Sequence, residues 1–146
     1  MTQSDIVMEI LCLIAMCFMH VLEDFHLQGL LGQLKQKQVW VDYCRRESFS
    51  FTKYKNDYKV CLFWHAFEWT CFMMAPIYIL SCFYFCMDTL GIWVPIFIMF
   101  CVNIYIHYLV DNAKCNELKI NLVVDQLVHA GQIVATWVIY VIMVMI

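Results

Sequence analysis

The sequence predicts an all-α integral membrane protein, a bundle of four transmembrane helices with an interfacial amphipathic segment between the first and the second. Three observations predict this fold. Hydrophobic residues make up 64% of the chain and charged residues 14%, against roughly 45–50% and about 25% in soluble domains. The apolar residues form four long runs, and every basic residue lies in one of two connections between them. The 146 residues are therefore interpreted as one membrane domain, 1–146.

The four apolar runs have the lengths expected of membrane spans. A helix needs about 20 mostly apolar residues to cross the hydrocarbon layer. The predicted spans are residues 6–24, 60–87, 90–111 and 120–146. The first has the shortest apolar run, and Glu9 and His20 interrupt it.

Two basic connections determine the predicted orientation. Residues 28–59 contain seven Lys or Arg, and the connection before the last span contains Lys114 and Lys119, whereas the N-terminal segment, the turn at Asp88 and the C-terminal end contain none. Because cytoplasmic loops carry the excess of Lys and Arg, both basic connections are predicted to be cytoplasmic. The formal net charge of −3 offers no basic field for nucleic acid, so no nucleic-acid partner is expected.

The long basic loop, residues 28–59, also carries aromatic side chains. They are Trp40, Tyr43, Phe49, Phe51, Tyr54 and Tyr58. Aromatic rings and cations together favour the headgroup region of a bilayer. We therefore expect part of this loop to lie on the membrane surface as a helix, with a solvated loop as the alternative.

Each predicted span carries one histidine and one acid, three or four residues apart, towards its cytoplasmic end. The pairs are His20 with Asp24, His65 with Glu68, His107 with Asp111, and Asp125 with His129. Residues at this spacing share one face of a helix. In three of the pairs the aspartate lies nearer the surface, so antiparallel packing would bring like residues into the same layer; in the second span the acid lies deeper.

This combination of side chains is typical of a divalent metal site. Neutral imidazoles and carboxylates bind zinc and other first-row ions, so zinc is the expected ion, with manganese or iron as alternatives. The predicted ligands are His20, Asp24, His107, Asp111, Asp125 and His129. A bound metal would polarise a substrate oxygen, with His65 or Glu68 as the general base and Lys114 as the partner of an anionic substrate group.

The function predicted from this pattern is a metal-dependent hydrolase that acts on a lipid or phosphoester at the cytoplasmic face of the membrane. Other interpretations stay open. The same pairs would also serve as interhelical hydrogen bonds, or as a proton or ion path in a conducting oligomer. A membrane factor that binds a partner without catalysis is the further alternative. Self-association is expected, because each helix has more apolar surface than three neighbours can cover.

Four sequence blocks carry a resemblance to a known family. They are HVLEDFHLQG at His20 to Gly29, His65 before an aromatic stretch, HYLVDNAK at His107 to Lys114, and DQLVH at Asp125 to His129. Their order and spacing resemble a family of uncharacterised bacterial and phage membrane proteins, domain of unknown function 3307.

The resemblance implies a set of motif positions and a location, but no reaction. The positions are His20, Asp24, Gln28, His65, His107, Asp111, Lys114, Asp125, Gln126 and His129. The long basic loop resembles versions encoded by bacteriophages, which implies a phage origin and a place in the bacterial cytoplasmic membrane. Because the family has no established activity, the resemblance supports the site and leaves its chemistry open.

Overall fold

The computed structural model describes residues 3–84 and 90–145, which are almost entirely helical and contain no strand. The helices are α1 (Gln3–Leu22), α2 (Gly29–Leu34), α3 (Lys37–Arg46), α4 (Phe51–Tyr54), α5 (Tyr58–Tyr84), α6 (Leu90–Cys115) and α7 (Leu122–Met145). A π-helical turn, Glu23–Leu27, continues α1. The all-α prediction is confirmed for the described residues.

Four stretches are long and apolar enough to cross a membrane. They are Gln3–Leu27, Tyr58–Tyr84, Gly91–Cys115 and Leu122–Val144. Each coincides with a predicted span to within a few residues. The largest difference is at the end of the third span, which was predicted to stop at Asp111 and continues as helix to Cys115. The predicted turn at Asp88 and the predicted end of the second span at residues 85–87 lie outside the described residues.

The four long helices form a closed ring. In it α1 packs on α5, α5 on α6, α6 on α7 and α7 on α1, with a weaker diagonal contact between α5 and α7. Successive long helices run antiparallel, so the end of α1 lies beside the start of α5, and the end of α6 beside the start of α7. This topology brings the histidine–acid pairs of the sequence to one end of the bundle.

Away from that end the interior of the bundle is mostly apolar, with a few buried polar side chains such as Asn103 and Glu9. Fully buried members of this core include Met16, Trp69, Met73, Met74, Ile77, Ile96 and Ile133. Only 22–44% of the most apolar stretch of each long helix is buried. The outer surface is therefore also apolar, with side chains such as Phe18, Phe97 and Leu127 more than 60% exposed. Such a surface is expected to face lipid rather than water.

The long basic loop contains three short helices, α2, α3 and α4. Helix α2 packs against α5, and Lys35, directly after α2, is only 3% exposed. The sequence predicted that this loop is cytoplasmic and lies in part on the membrane surface, and it did not indicate that one of its lysines would be buried. The docking of α2 on α5 carries the ammonium group of Lys35 into the bundle, where a carboxylate compensates its charge.

Candidate metal centre

One layer at an end of the bundle brings together buried ionisable side chains from all four long helical segments. Its members are Glu23 and Asp24 from the π-helical turn, His65 from α5, His107 and Asp111 from α6, and Asp125 and His129 from α7. All are at most 7% exposed. We call this set the polar layer. Burial of so many ionisable groups is costly in a membrane unless they pair or bind a cation.

Asp111 lies at the centre of the polar layer. Its Oδ2 accepts a hydrogen bond from Lys35 Nζ at 2.6 Å and lies 3.3 Å from His65 Nε2 and 3.5 Å from His107 Nε2. Its Oδ1 lies 3.7 Å from His129 Nε2. Three imidazoles from three different helices thus point the same ring nitrogen at one carboxylate.

Asp125 forms a second carboxylate centre, nearer the surface. Its Oδ2 accepts hydrogen bonds from Lys114 Nζ at 2.6 Å and from Gln126 Nε2 at 3.0 Å, while its Oδ1 lies 3.5 Å from His129 Nε2. The sequence assigned Lys114 to an anionic substrate group. In the structure its partner is Asp125, and the half-buried position of Lys114 places it at the rim of the layer.

His20 is held by hydrogen bonds at both ring nitrogens. The Trp69 indole N–H donates to His20 Nδ1 at 2.9 Å, so the ring proton lies on Nε2, which is 3.2 Å from Gln126 Oε1. The amide of Gln126 in turn donates to Asp24 Oδ2 at 3.0 Å. Because Trp69 occupies the lone pair of His20, the predicted role of His20 as a metal ligand does not fit this structure.

Trp69 also packs on the other histidines. Its ring stacks on His107 with centroids 4.2 Å apart, and His107 stacks on His129 at 4.3 Å. Trp69 is four residues after His65 and shares its inward face. It therefore fixes the orientation of two imidazoles by packing and of His20 by hydrogen bonding.

Glu23, rather than Glu68, is the glutamate of the polar layer. Glu23 is fully buried, with Oε1 3.4 Å from His65 Nδ1. Glu68 is half-buried on the outer side of α5, in a groove with Leu31 and Trp64. The inward position after His65 belongs to Trp69, and the structure therefore places the predicted base Glu68 outside the polar layer.

Gln28 closes the layer from the loop side. Its amide donates to the backbone carbonyl of Asp24 and lies 3.4 Å from Asp24 Oδ1. The side chain folds over Gly32, where a Cβ would lie 2.5 Å from that of Gln28. Glycine at this position leaves the space that the Gln28 contact needs.

Many polar atoms of the layer have no hydrogen bond within the described part of the chain. Both ring nitrogens of His65, His107 and His129 are in this state, as are both oxygens of Glu23 and Oδ1 of Asp125. The facing carboxylate oxygens are 3.3–3.8 Å from the imidazole nitrogens, beyond the ~2.7–3.2 Å of good hydrogen bonds. Donor atoms that share one ion at ~2.0–2.2 Å lie roughly 3.0–3.6 Å from one another, so most of these spacings suit a shared cation.

The balance of charges in the layer is also compatible with a bound cation. Four buried acids, Glu23, Asp24, Asp111 and Asp125, face two ammonium groups, those of Lys35 and Lys114. With neutral imidazoles and ionised acids, two negative charges are left over. One divalent cation, or two protonated imidazoles, would balance them.

Two groups of side chains could hold an ion. One is Asp24, His65 and His107, and the other is His107, Asp111 and His129. Within each group, one ligand atom per residue lies within 4.8 Å of the others. His107 belongs to both groups. Four of the six predicted ligands are included, and His65 joins them as a candidate ligand instead of a base. Asp125 is in neither group, although its Oδ1 lies 3.5 Å from His129 Nε2.

The site also uses three residues that the sequence did not single out, Glu23, Lys35 and Trp69. Trp69 shares the helix face of His65 by spacing, and that signal could have found it. Glu23 adjoins Asp24 and lies three residues after His20, so the same spacing could have indicated it as well. Nothing in the pattern of the basic loop distinguishes Lys35 from its exposed neighbours.

These features define a helical protein with four candidate membrane spans and a buried histidine–carboxylate layer at one end of the bundle. Comparison of the chain with protein-family models, with curated proteins and with solved structures finds no match. The resemblance to domain of unknown function 3307 therefore stays a prediction.

Proposed function

We propose that this chain is a multi-pass membrane protein that binds a divalent metal ion, zinc in the first place, within the polar layer. His107, Asp111 and His129 would hold the ion, with Asp24 and His65 as the adjoining ligand group. Both basic connections would lie in the cytoplasm, which puts the layer near the cytoplasmic surface of a bacterial membrane.

One observation carries the proposal. Three fully buried imidazoles direct Nε2 at the carboxylate of Asp111 from 3.3–3.7 Å, and their ring nitrogens have no hydrogen bond in the described residues. Helix packing alone would favour shorter, satisfied His–Asp hydrogen bonds, since each unsatisfied buried polar group costs about 1–3 kcal/mol. Glu23 lies beside His65 Nδ1 while His65 Nε2 faces Asp111, which matches the carboxylates that commonly orient metal-binding imidazoles through the other ring nitrogen.

The activity that such a site would support is hydrolysis of a lipid or phosphoester, because a bound metal polarises a substrate oxygen. Residues at the rim of the layer would define the route by which a substrate group reaches it. Lys114 and Gln126 are partly exposed there and contact Asp125. A substrate group that enters between them would reach the layer without crossing the apolar core.

Metal analysis of the purified protein tests the proposal. The protein is prepared with a histidine-free affinity tag, in detergent, and its zinc, manganese and iron contents are measured after exposure to each metal. We expect about one equivalent of metal in the wild type and at least a 10-fold weaker affinity in His107→Ala. His26→Ala is the matched control, because His26 is exposed and outside the layer. A folded wild-type protein without bound metal would rule the proposal out.

A second candidate function, proton translocation, is favoured by a polar track that continues beyond the layer. In it Gln132 donates to Asn103 Oδ1 at 2.7 Å, Asn103 donates to Thr136 Oγ1 at 3.0 Å, and Ser81 donates to the Tyr140 hydroxyl at 3.1 Å. Towards the other end of the bundle, Glu9 is 4% exposed and neither carboxylate oxygen has a hydrogen-bond partner among the described residues.

Proton flux into liposomes distinguishes this candidate from metal binding. A conducting protein would acidify the lumen of vesicles that contain a pH-sensitive dye. The flux would fall by at least about 10-fold in Glu9→Gln, which removes the titrating group at the far end, and would be unchanged in the exposed control Glu47→Gln. Flux no greater than that of empty vesicles would eliminate this candidate.

A further inference from the structure

Lys35 reaches the polar layer from a loop, and its ammonium group is deeply buried. The side chain is 3% exposed, although the residue lies outside the four long helices. Its Nζ donates to Asp111 Oδ2 at 2.6 Å. The same oxygen faces His65 and His107 at 3.3 and 3.5 Å. The ammonium group therefore shares with two imidazoles the carboxylate oxygen that a metal ion would use.

The backbone around Lys35 is tied to the end of α6. The side chain of Asn116 donates to the Lys35 carbonyl oxygen at 3.2 Å and accepts a hydrogen bond from the Lys37 backbone N–H at 2.7 Å. Gln36, between them, has an extended backbone (φ −85°, ψ 121°) and separates α2 from α3. These contacts hold the backbone, so displacement of the ammonium group would require rotation about the bonds of the lysine side chain.

A cation at Asp111 and the ammonium of Lys35 cannot both keep this place. Two positive groups that share one carboxylate oxygen in a buried environment repel strongly, because the local dielectric constant is far below that of water. Lysine has a flexible four-carbon stem and can turn its ammonium outwards while the stem stays in contact with apolar surface.

We propose that Lys35 is an internal cation that competes with the divalent ion for Asp111 and so sets the metal affinity of the site. The inference depends on the metal binding proposed above. In the state described here the lysine neutralises Asp111, and metal binding displaces the ammonium towards the rim of the bundle. The affinity of the site is then lower than that of the same ligands without the lysine.

Zinc titration of Lys35→Met tests the competition. Methionine keeps the unbranched apolar stem and removes the charge. We expect zinc affinity to rise by roughly 10- to 100-fold, which corresponds to the loss of one charged hydrogen bond that competes with the ion. Lys35→Arg keeps a cation and should show no such gain, and Lys37→Met, at an exposed lysine two residues further on, is the matched control.

A labelling experiment gives an independent readout in the wild type. An amine-reactive reagent should modify Lys35 several-fold faster when zinc is present, with Lys37 unchanged, as measured by peptide mass spectrometry. If Lys35→Met unfolds without metal, its affinity is obtained from the zinc dependence of thermal unfolding instead.

The outcomes separate the two proposals. Tighter zinc binding by Lys35→Met than by the wild type supports the competition, whereas a folded wild type that binds no zinc overturns both proposals. Equal or weaker binding by the variant, with zinc bound to the wild type, overturns the competition and leaves the metal site in place. No zinc binding by either protein overturns both.

Discussion

The two ends of the bundle interior are built on opposite principles. At one end, the polar layer buries four acids and three imidazoles, and two lysines face Asp111 and Asp125. In the rest of the interior, methionine, isoleucine and tryptophan side chains fill most of the space between the helices, and the buried polar side chains there are mainly uncharged. The apolar region needs only compatible volumes, because packing of apolar side chains is tolerant of similar shapes.

This difference between the two ends indicates that the polar layer, rather than the apolar core, is the region to examine for function. The four helices could be held together by their apolar packing, as the larger part of the interior shows. The polar layer adds buried groups whose hydrogen-bonding capacity the described residues do not satisfy, and such groups destabilise a bundle unless a ligand compensates them. For this reason we propose that the layer binds a ligand rather than only holding the helices together.

The largest effect is expected for Asp111→Asn, which tests whether the polar layer depends on its central charge. The change leaves the ammonium of Lys35 buried without a carboxylate, and breaking a buried ion pair in this way costs about 3–5 kcal/mol. Thermal or denaturant unfolding in detergent measures the loss, and metal binding should be lost as well.

Asp42→Asn is the control for that experiment. Asp42 pairs with Arg45 at 3.4 Å, but both side chains are more than half exposed, so the change should cost less than about 1 kcal/mol. An equal effect of the two substitutions would show that the central carboxylate has no special weight.

A smaller effect is expected from Glu23→Gln. This variant tests whether Glu23, as the structure suggests, or Glu68, as the sequence suggested, is the glutamate of the site. Glu23 lies against His65 Nδ1, and loss of a carboxylate that orients a ligand imidazole typically lowers metal affinity by about 10- to 100-fold. Glu68→Gln, on the same helical segment as His65 but outside the layer, should leave the affinity unchanged. Zinc titration of the two variants in parallel decides between them, and the reverse order would restore Glu68 as the functional residue.

The smallest effect is expected in the region between the two ends. Thr136→Val removes a hydroxyl that accepts a hydrogen bond from Asn103 at 3.0 Å and keeps the shape of the side chain. Interhelical hydrogen bonds of this kind contribute about 0.6 kcal/mol on average, so unfolding should be only slightly easier and metal binding unchanged. Thr52→Val, at an exposed position of the loop, is the reference. A loss of metal binding in Thr136→Val would extend the site beyond the layer defined here.

The fold could be predicted from the sequence because hydropathy reports it directly. A run of about 20 apolar residues has few alternatives to a helix that faces lipid, and the four helical stretches agree with that pattern. The bounds were less predictable at the polar ends. The helix α6 continues past Asp111 through residues 112–115. It ends before Asn116, and Leu118 then has a left-handed backbone conformation with φ 54°.

The candidate site could be predicted only in part, for two physical reasons. Spacing along one helix shows which residues share a face, and this brought His107 and Asp111, or Asp125 and His129, together correctly. Spacing does not show which inward residues will form hydrogen bonds that occupy the nitrogens of a predicted ligand. Thus it missed that Trp69 and Gln126 hydrogen-bond both nitrogens of His20.

Contacts between a loop and the bundle were beyond sequence reasoning altogether. Lys35 and Asp111 are far apart in the chain, and the basic loop has the composition of a membrane-surface segment. Only the docking of α2 on α5 reveals that one of its lysines is a core residue.

The stacking of Trp69 on His107 gives the protein a built-in optical probe. The indole ring is 4.2 Å from the imidazole shared by both candidate ligand groups, while Trp40 stacks on Tyr43 in the loop and Trp64 contacts phenylalanines on the outer side of α5. A paramagnetic ion such as Co²⁺ beside His107 would quench the emission of Trp69 far more than that of these two. If the polar layer binds such an ion, the fluorescence of Trp69 would report its occupancy without a label.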